Sequence, residues 1–298
     1  MEHPGTADPA PWRTRLGRVG VWVAGEALDP DPGQVATLVE GLGYGALWIG
    51  GGNAQEAAFS RIGEVLSASR DLVVATGIVN IWAWEPAALA EHAVRLGAGY
   101  PGRFVLGLGV SHAPLVQQLG RRYEQPYEAM VAYLDALDAA GAGGPPRVLA
   151  ALGPRMLRLA GARAAGAHPY LTTPEHTRTA RETLGPLALL APEQALVVED
   201  DAEIARRIGR TYLARYLLLP NYAANLRRLG WRSEALDGAG SDALVDALVP
   251  HGGVHDVADA VRAHLDAGAD HVCVQPLGAG GSIDLRALEA LAPALTGD

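Results

Sequence analysis

Short apolar runs alternating with helical segments constrain this chain more than any other feature of its 298 residues. Arg18–Ala24 (R-V-G-V-W-V-A), Ala46–Ile49 and Leu72–Thr76 are brief and rich in β-branched or aromatic side chains, as buried strands are. Between the first two, Asp31-Pro32 opens a helix with Asp as N-cap and Pro at the first helical position. Val35, Leu38, Val39 and Leu42 then recur at helical spacing, and Gly43 ends the helix. Ala54–Ser69 reads as a second helix, and a third runs from Trp84-Glu85-Pro86 to Gly97-Ala98-Gly99. Phe104–Leu108, Arg147–Leu152, Ala167–Leu171, Gln194–Val198 and His271–Gln275 extend the strand series to eight. Helices are expected over Tyr123–Ala140, Pro154–Ala165, the segment capped by Thr173-Pro174-Glu175-His176, Asp200–Leu218, Val257–Ala267 and Ile283–Leu295. Ile204, Ile208 and Tyr212 line one side of the long helix.

Strands that alternate with crossover helices call for a parallel sheet. At this length closure into a (β/α)8 TIM barrel is the favoured α/β architecture. An open doubly wound sheet is the runner-up, weakened by the lack of a Gly-x-Gly-x-x-Gly after the first strand. Pro220–Gly253 fits no strand–helix unit and is expected to be a helical insertion after strand seven that covers part of the barrel mouth. No linker-like break follows residue 16, so residues 17–298 are expected to form one domain. Residues 1–16 are expected to be a flexible arm, rich in Pro, Ala and charge and without the apolar centre of a signal peptide.

At 49% hydrophobic and 19% charged the chain can bury a sizeable core. A formal charge of −9 argues against nucleic acid or an anionic lipid surface as partner. The one cysteine, Cys273, excludes an intramolecular disulfide and a cysteine metal cluster, and within an apolar strand it reads as an inert buried thiol. No apolar run reaches the length of a membrane span, and the cytoplasm is the expected compartment.

In a barrel, function is sought on the loops after the strands. Here those ends are Trp22–Ala24, Gly50–Asn53, Gly77–Trp82, Gly109–His112, Ala151–Pro154, Tyr170–Thr173, Val198-Glu199 and Gln275-Pro276. Carboxylates are scarce among them, so neither a glycosidase pair nor a His/Asp metal cluster is evident. A mostly uncharged, aromatic mouth suits a large flat organic cofactor that brings its own reactivity to a small-molecule substrate.

Three stretches stand out. Gly102–Pro114 reads G-R-F-V-L-G-L-G-V-S-H-A-P, a strand that opens at its carboxyl end into Ser111 and His112. Gly107 and Gly109 lack a Cβ, so a flat ligand could approach the backbone there. Ala75–Trp84 reads A-T-G-I-V-N-I-W-A-W: Asn80 could bond the polar edge of a ring, and Trp82 or Trp84 could wall a substrate space. A barrel-rim turn with packed tryptophans explains the same residues. In A-A-L-G-P-R-M-L-R-L-A-G, residues 150–161, the helix start after Ala151, Leu152 and Gly153 exposes N–H groups around Pro154, Arg155 and Met156 that could hold a phosphate, with Arg158 nearby. Gly-Pro helix starts are also common without a ligand.

The first stretch resembles the fourth strand of the luciferase-like monooxygenase superfamily, pattern G-R-F-x-L-G-x-G, which runs beneath a flavin or deazaflavin ring. The second resembles the third strand of the superfamily's coenzyme F-420-dependent branch. G-A-H-P-Y-L, L-P-N-Y-x-x-N-L-x-R-L-G-W and D-A-G-A-D-H-V-C-V-Q extend the likeness from Arg18 to about Leu295, within an actinobacterial subgroup. The resemblance implies a bulge with a cis peptide at Gly77–Ile78, continuing through Val79 and Asn80, that supports the deazaflavin. It implies cofactor phosphate near the junction at Gly153. Tyr170 and Thr172, at the end of strand six, read as polar contacts, and His176, in the first turn of the next helix, as facing either the cofactor tail or water. His112 is read as a cofactor contact, with proton exchange by His112 or Asn80 as the catalytic option. Trp22, Trp48 and Gln275 complete the expected substrate pocket. Relatives such as F-420-dependent sugar-phosphate dehydrogenases carry a histidine at the end of strand two and an acid at the end of strand four. Gly50-Gly51 and Ser111-His112 stand there here, which puts that acid–base pair in doubt while leaving hydride transfer intact. The expected cofactor is coenzyme F-420, with FMN in a two-component monooxygenase, or non-catalytic F-420 or flavin binding, as alternatives. Pairing of family members through helices near strands two and three makes a homodimer an expectation.

Overall fold

The computed structural model describes residues 11–29, 31–51, 56–141 and 144–297. Its strands are β1 Val19–Ala24, β2 Ala46–Gly50, β3 Val73–Thr76, β4 Val79–Asn80, β5 Phe104–Gly109, β6 Arg147–Leu149, β7 Gly166–Ala167, β8 Leu189–Leu190, β9 Glu193–Val198, β10 His251–Gly252 and β11 Val272–Pro276. Every ladder between them is parallel. β1, β2 and β5 are buried almost end to end, as strands covered on both faces must be.

The sheet closes through one bent strand. The Leu189 and Ala191 N–H groups donate to Ala165 and Ala167, on the β7 side. The Leu190 and Pro192 carbonyls accept from Asp270 and Cys273, on the β11 side. β8 and β9 are therefore two halves of the same strand, broken at Pro192, which has no N–H for the ladder. With neighbours on both edges this strand completes the barrel expected from the alternation. Helices at Pro32–Gly41, Glu56–Ala68, Pro86–Gly99, Pro126–Ala140, Pro154–Arg163, Pro174–Leu184, Val254–Asp266 and Leu285–Leu295 surround it.

Side chains alternate across the strands. Val21, Val23, Leu47, Ile49, Phe104 and Leu106 join the helices in the larger core cluster. Trp22, Ala46, Trp48, Val73, Ala75, Val105, Val148 and Cys273 fill the barrel. Its floor comes from the helix Pro11–Leu16, whose Trp12 and Leu16 are buried in that interior cluster. Part of the expected arm is thus a docked plug, because two large apolar side chains within one short helix can cover the barrel end. Residues 1–10 lie outside the described residues, as do Gly52, Asn53 and the first residues of the helix expected from Ala54.

Other boundaries differ for local reasons. The helix expected over Tyr123–Ala140 begins only at Pro126, and a separate short helix, Ala113–Gln118, precedes it. Gln125 precedes a proline and takes φ +45, so the chain cannot run helically through it. The sixth strand pairs only at Gly166–Ala167, because Pro169 removes a donor just beyond. The insertion expected over 220–253 holds helices Pro220–Arg228 and Asp242–Leu248. Its last residues return to the sheet as β10, paired with Val197 and Val198.

One register shift matters for function. Ala75 pairs with Val105, but Val79 pairs with Leu108. Residues 76–78 therefore oppose only 106 and 107, a bulge with one extra residue on the β3–β4 side. Thr76 spans it: its hydroxyl donates to the Gly107 carbonyl and accepts from the Gly107 N–H, both at 2.8 Å. A Cβ on Gly107 would strike the Thr76 carbonyl, and one on Gly109 would lie 2.5 Å from Ile78 Cδ1. The two glycines thus make room for the bulge: Gly107 gives its open side to the Thr76 carbonyl rather than to a ligand, whereas Gly109 also lines the cavity at the strand ends. Gly107→Ala should lower stability by about 1–3 kcal/mol through overpacking. Gly41→Ala, at the end of a helix with nothing near its Cβ position, should be neutral or stabilising by a few tenths of a kcal/mol. Urea midpoints for the two variants test this, and equal midpoints would contradict the packing argument.

Candidate functional site

At the carboxyl ends of the strands lies a cavity of about 950 Å³. The bulge forms one side of it. The Gly77–Ile78 peptide bond is cis, and both residues line the cavity with Asn80. Trp22 Nε1 donates to the Gly77 carbonyl at 3.2 Å, which ties β1 to the bulge. Asn80 Oδ1 accepts from the Trp82 N–H at 3.1 Å, while its buried Nδ2 has no partner among the described residues.

His168 lies below. Its Nδ1–H donates to the Ala191 carbonyl at 2.7 Å, so Nε2 carries the lone pair, and that atom is buried without a partner. The ring stacks on Trp48 with centroids 4.3 Å apart, and burial drops its pKa to about 4, so the imidazole is neutral. Trp48 Nε1 in turn donates to His271 Nε2, whose Nδ1–H donates to the Gly17 carbonyl. A column of neutral rings therefore fills the barrel beneath the cavity.

Beside the bulge, at the end of the strand paired with it, Ser111 follows β5 with φ +56, a region non-glycine residues seldom occupy. Its carbonyl accepts from the Tyr123 hydroxyl at 3.3 Å. His112 Nδ1 donates to Asn221 Oδ1 at 3.2 Å. Burial lowers the His112 pKa, and the bond to Asn221 opposes this only in part. The neutral ring is thus clasped by the helix Pro220–Arg228 of the insertion.

At the third side, Gly153 caps the helix Pro154–Arg163 without a side-chain acceptor, and Ala151–Met156 line the cavity. Arg155 is neutralised by Glu128 at 3.1 Å and lies over Tyr127. Arg228, from the insertion, approaches Gly153, its guanidinium nitrogen 3.5 Å from where a Gly153 Cβ would be. The fourth side is aromatic: Trp22 and Tyr170 have centroids 5.2 Å apart, and Tyr170 and Tyr216 5.4 Å. The Tyr170 hydroxyl donates to Gln275 Oε1 at 2.9 Å and meets the Tyr216 hydroxyl at 3.0 Å.

The cavity brings together Trp22, Gly77, Ile78, Asn80, Gly109, Ser111, His112, Ala151, Leu152, Gly153, Pro154, Arg155, Met156 and Tyr170 from the residues singled out in the sequence. The others lie elsewhere. Trp48 is wholly buried one layer down, and Trp84 packs against Phe59 and His92 behind the bulge. Trp82 donates to the Val110 carbonyl and packs on Tyr123. Val79 points into the outer core, and Gly107 lies under the bulge. Gln275 acts one step back, through Tyr170. Thr172 is buried with an unpartnered hydroxyl, and His176 donates from Nε2 to the Leu152 carbonyl, supporting the turn before Gly153.

Sequence reasoning missed His168, Tyr216, Tyr222, Asn221, Arg215 and Arg228. His168 could have been found from strand alternation, since it shares the inward face with Tyr170. Tyr216 continues the series Ile204, Ile208, Tyr212 by one more helical turn. The insertion residues carry no periodic signal that names their neighbours.

Beside the aromatic wall is a buried acid. Glu193 accepts from the Leu171 N–H at 3.1 Å and the Tyr212 hydroxyl at 3.4 Å, which holds Leu171 at φ +56. Burial pushes its carboxyl up to about 8, against the pull of these bonds. An unfolded glutamate ionises near pH 4. The native state therefore holds the extra proton between those values, and its relative stability is full below about pH 4 and lost as pH rises through 8. Stability should fall by about 1.4 kcal/mol per pH unit within that window from this group. Glu193→Gln should flatten the dependence, read as urea midpoints at pH 5, 6, 7 and 8. Parallel profiles for the two proteins would contradict the raised carboxyl.

No curated protein matches this chain in sequence. Among solved structures it is similar to the coenzyme F-420-dependent tetrahydromethanopterin reductase from Methanopyrus kandleri, with TM-score 0.76, 16% identity and coverage of 94% of this chain and 98% of that one. An F-420-dependent secondary alcohol dehydrogenase in complex with an F-420–acetone adduct aligns with TM-score 0.66 and 14% identity, over 94% and 99% of the two chains. The FMN-bound oxygenating constituent of 3,6-diketocamphane monooxygenase, a type II Baeyer–Villiger monooxygenase from Pseudomonas putida, aligns with TM-score 0.65 and 14% identity, over 94% and 98%. Residues 30–148, which include the bulge and the strand beneath it, match the sequence profile of the luciferase-like monooxygenases, and the barrel around them has the fold of that superfamily.

Proposed function

We infer that this chain is an oxidoreductase that binds coenzyme F-420 and moves a hydride between the deazaflavin C5 and a small organic substrate. The observation that carries the reading is the buried, unpartnered Nδ2 of Asn80 beside the bulge, a donor in want of an acceptor at the edge of a cavity large enough for a tricyclic ring. Two of the similar structures are described as F-420 enzymes, which favours the deazaflavin; a third holds FMN.

The residues present fit such a group. Asn80 would donate to the polar edge of the ring, with Ile78 packed behind it. The N–H groups of Arg155 and Met156 at the open helix start, with Arg228, suit the phosphodiester of the tail. Trp22, Tyr170 and Tyr216 keep the remaining side apolar and exclude water from the reacting face. Bound there, the cofactor supplies the hydride chemistry, which needs little from the protein beyond orientation. His112 and His168 each spend the Nδ1–H on Asn221 and Ala191, so each ring leaves an Nε2 lone pair that can accept from a substrate hydroxyl without adding charge.

Titration of the purified chain with F-420 and with FMN, followed by cofactor fluorescence, tests the reading. F-420 should bind at micromolar concentration or tighter and FMN at least about tenfold more weakly. Asn80→Asp keeps the acceptor for the Trp82 N–H but loses the donor and adds charge, so F-420 should weaken by about ten- to hundredfold. The reverse preference would turn the reading to an FMN-dependent monooxygenase served by a reductase, and binding of neither would overturn it.

A further inference from the structure

The charged side chains that line the cavity are all of one sign. Its lining holds three arginines, Arg155, Arg215 and Arg228, and no aspartate or glutamate among the described residues. On a chain of formal charge −9 this concentrates positive potential at the barrel mouth. Arg155 is paired with Glu128. Arg228 lies at Gly153, with the open helix start, where several donors converge as a phosphate requires.

Arg215 is in a different setting. It projects from the helix Ala202–Leu217, and its guanidinium carbon lies 4.9 Å from the ring centroid of Tyr216 and 5.3 Å from that of Tyr212. It has no carboxylate partner among the described residues, whereas Arg206 and Arg210 of the same helix are both ion-paired. Contact with two rings holds the guanidinium at the cavity wall, and none of its N–H groups is paired among the described residues, which leaves its fork for an acceptor. Three nearby hydroxyls are committed as donors, Tyr212 to Glu193, Tyr216 to Tyr170 and Tyr170 to Gln275, while that of Tyr222, whose ring packs on Tyr216, lines the same cavity. A guanidinium fork with one hydroxyl nearby matches a carboxylate with its two coplanar oxygens, where a phosphate would call on more donors. The wall leading from Arg215 is Tyr216, Tyr170 and Trp22, a run of rings that favours a flat, unsaturated or aromatic skeleton.

We propose that the cavity's substrate is a small aromatic or α,β-unsaturated carboxylic acid, its carboxylate held by Arg215 and its planar body lying along Tyr216, Tyr170 and Trp22. As the substrate of hydride transfer this acid rests on the F-420 reading, but its binding does not require it. Arg215 sets specificity, because a neutral analogue leaves the fork unpaired.

Cinnamate and its uncharged counterpart cinnamamide are suitable probes, with binding followed by calorimetry and by quenching of tryptophan emission. The protein is used alone and after addition of F-420. Cinnamate should bind saturably and about tenfold or more tighter than the amide, and the difference should shrink with added salt. Arg215→Gln should abolish the preference for the acid while leaving the amide unchanged, and Arg215→Lys, which keeps the charge but not the fork, should restore it in part. Melting temperatures establish that both variants are folded. Equal binding of acid and amide, no binding of either, or a preference that survives Arg215→Gln would each overturn the proposal. So would a variant that loses F-420 affinity but not cinnamate, since Arg215 would then belong to the cofactor tail. Failure of F-420 to bind the unaltered chain while the Arg215-dependent preference persists would refute the oxidoreductase reading and leave this one standing.

Discussion

The missing Cβ of Gly107 is the constraint on which the site depends. Only a glycine there lets the Thr76 carbonyl cross the space a side chain would take, while the Thr76 hydroxyl satisfies both backbone groups of Gly107. Buried backbone groups cost too much to leave unpaired, so this side chain does what the interrupted ladder cannot. Ile78 then fills the space over Gly109, Gly77 receives the Trp22 indole, and Asn80 is left beside the cavity with a free donor. A one-residue register shift thus sets the shape of one side of the cavity.

Burial controls the charge state of the interior. His168 and His271 each donate one N–H to a backbone carbonyl and are held neutral to about pH 4, where a charged ring would face apolar surroundings. Glu193 responds to the same environment in the opposite direction and keeps its proton to about pH 8. With histidines neutral and the acid protonated near pH 7, the formal charges lining the cavity come from arginines. An acidic protein therefore presents a locally cationic, aromatic mouth, suited to anions with flat bodies.

The segments after β9 supply what the barrel strands do not. Tyr216 and Arg215 come from the long helix after β9, and Asn221, Tyr222 and Arg228 from the helix of the insertion. The insertion is anchored at both ends: Asn221 accepts from His112 at the rim, and β10 pairs with the end of β9. Its polar residues thus face a site that the eight-strand frame alone would leave open.

Local residue chemistry determined much of this in advance. The strand series, the Asp31 cap and the open helix start at Gly153 are each legible because each depends on residues close together in the chain, and the bulge at Gly77–Ile78 followed from the family resemblance of a short motif. The depth of a side chain was not legible. Trp22 and Trp48 look alike in their strands, yet one lines the cavity and the other lies a layer below, stacked on His168, because strand stagger decides height along the barrel. The purpose of Gly107 was hidden for a similar reason, since the atom that needs the space lies 31 residues away. The closure at Pro192, the docked helix Pro11–Leu16 and the meeting of Arg215 with the Tyr170 wall are likewise products of contacts between distant segments. Periodicity and motif specify what each segment is, and only the closed barrel decides which segments meet.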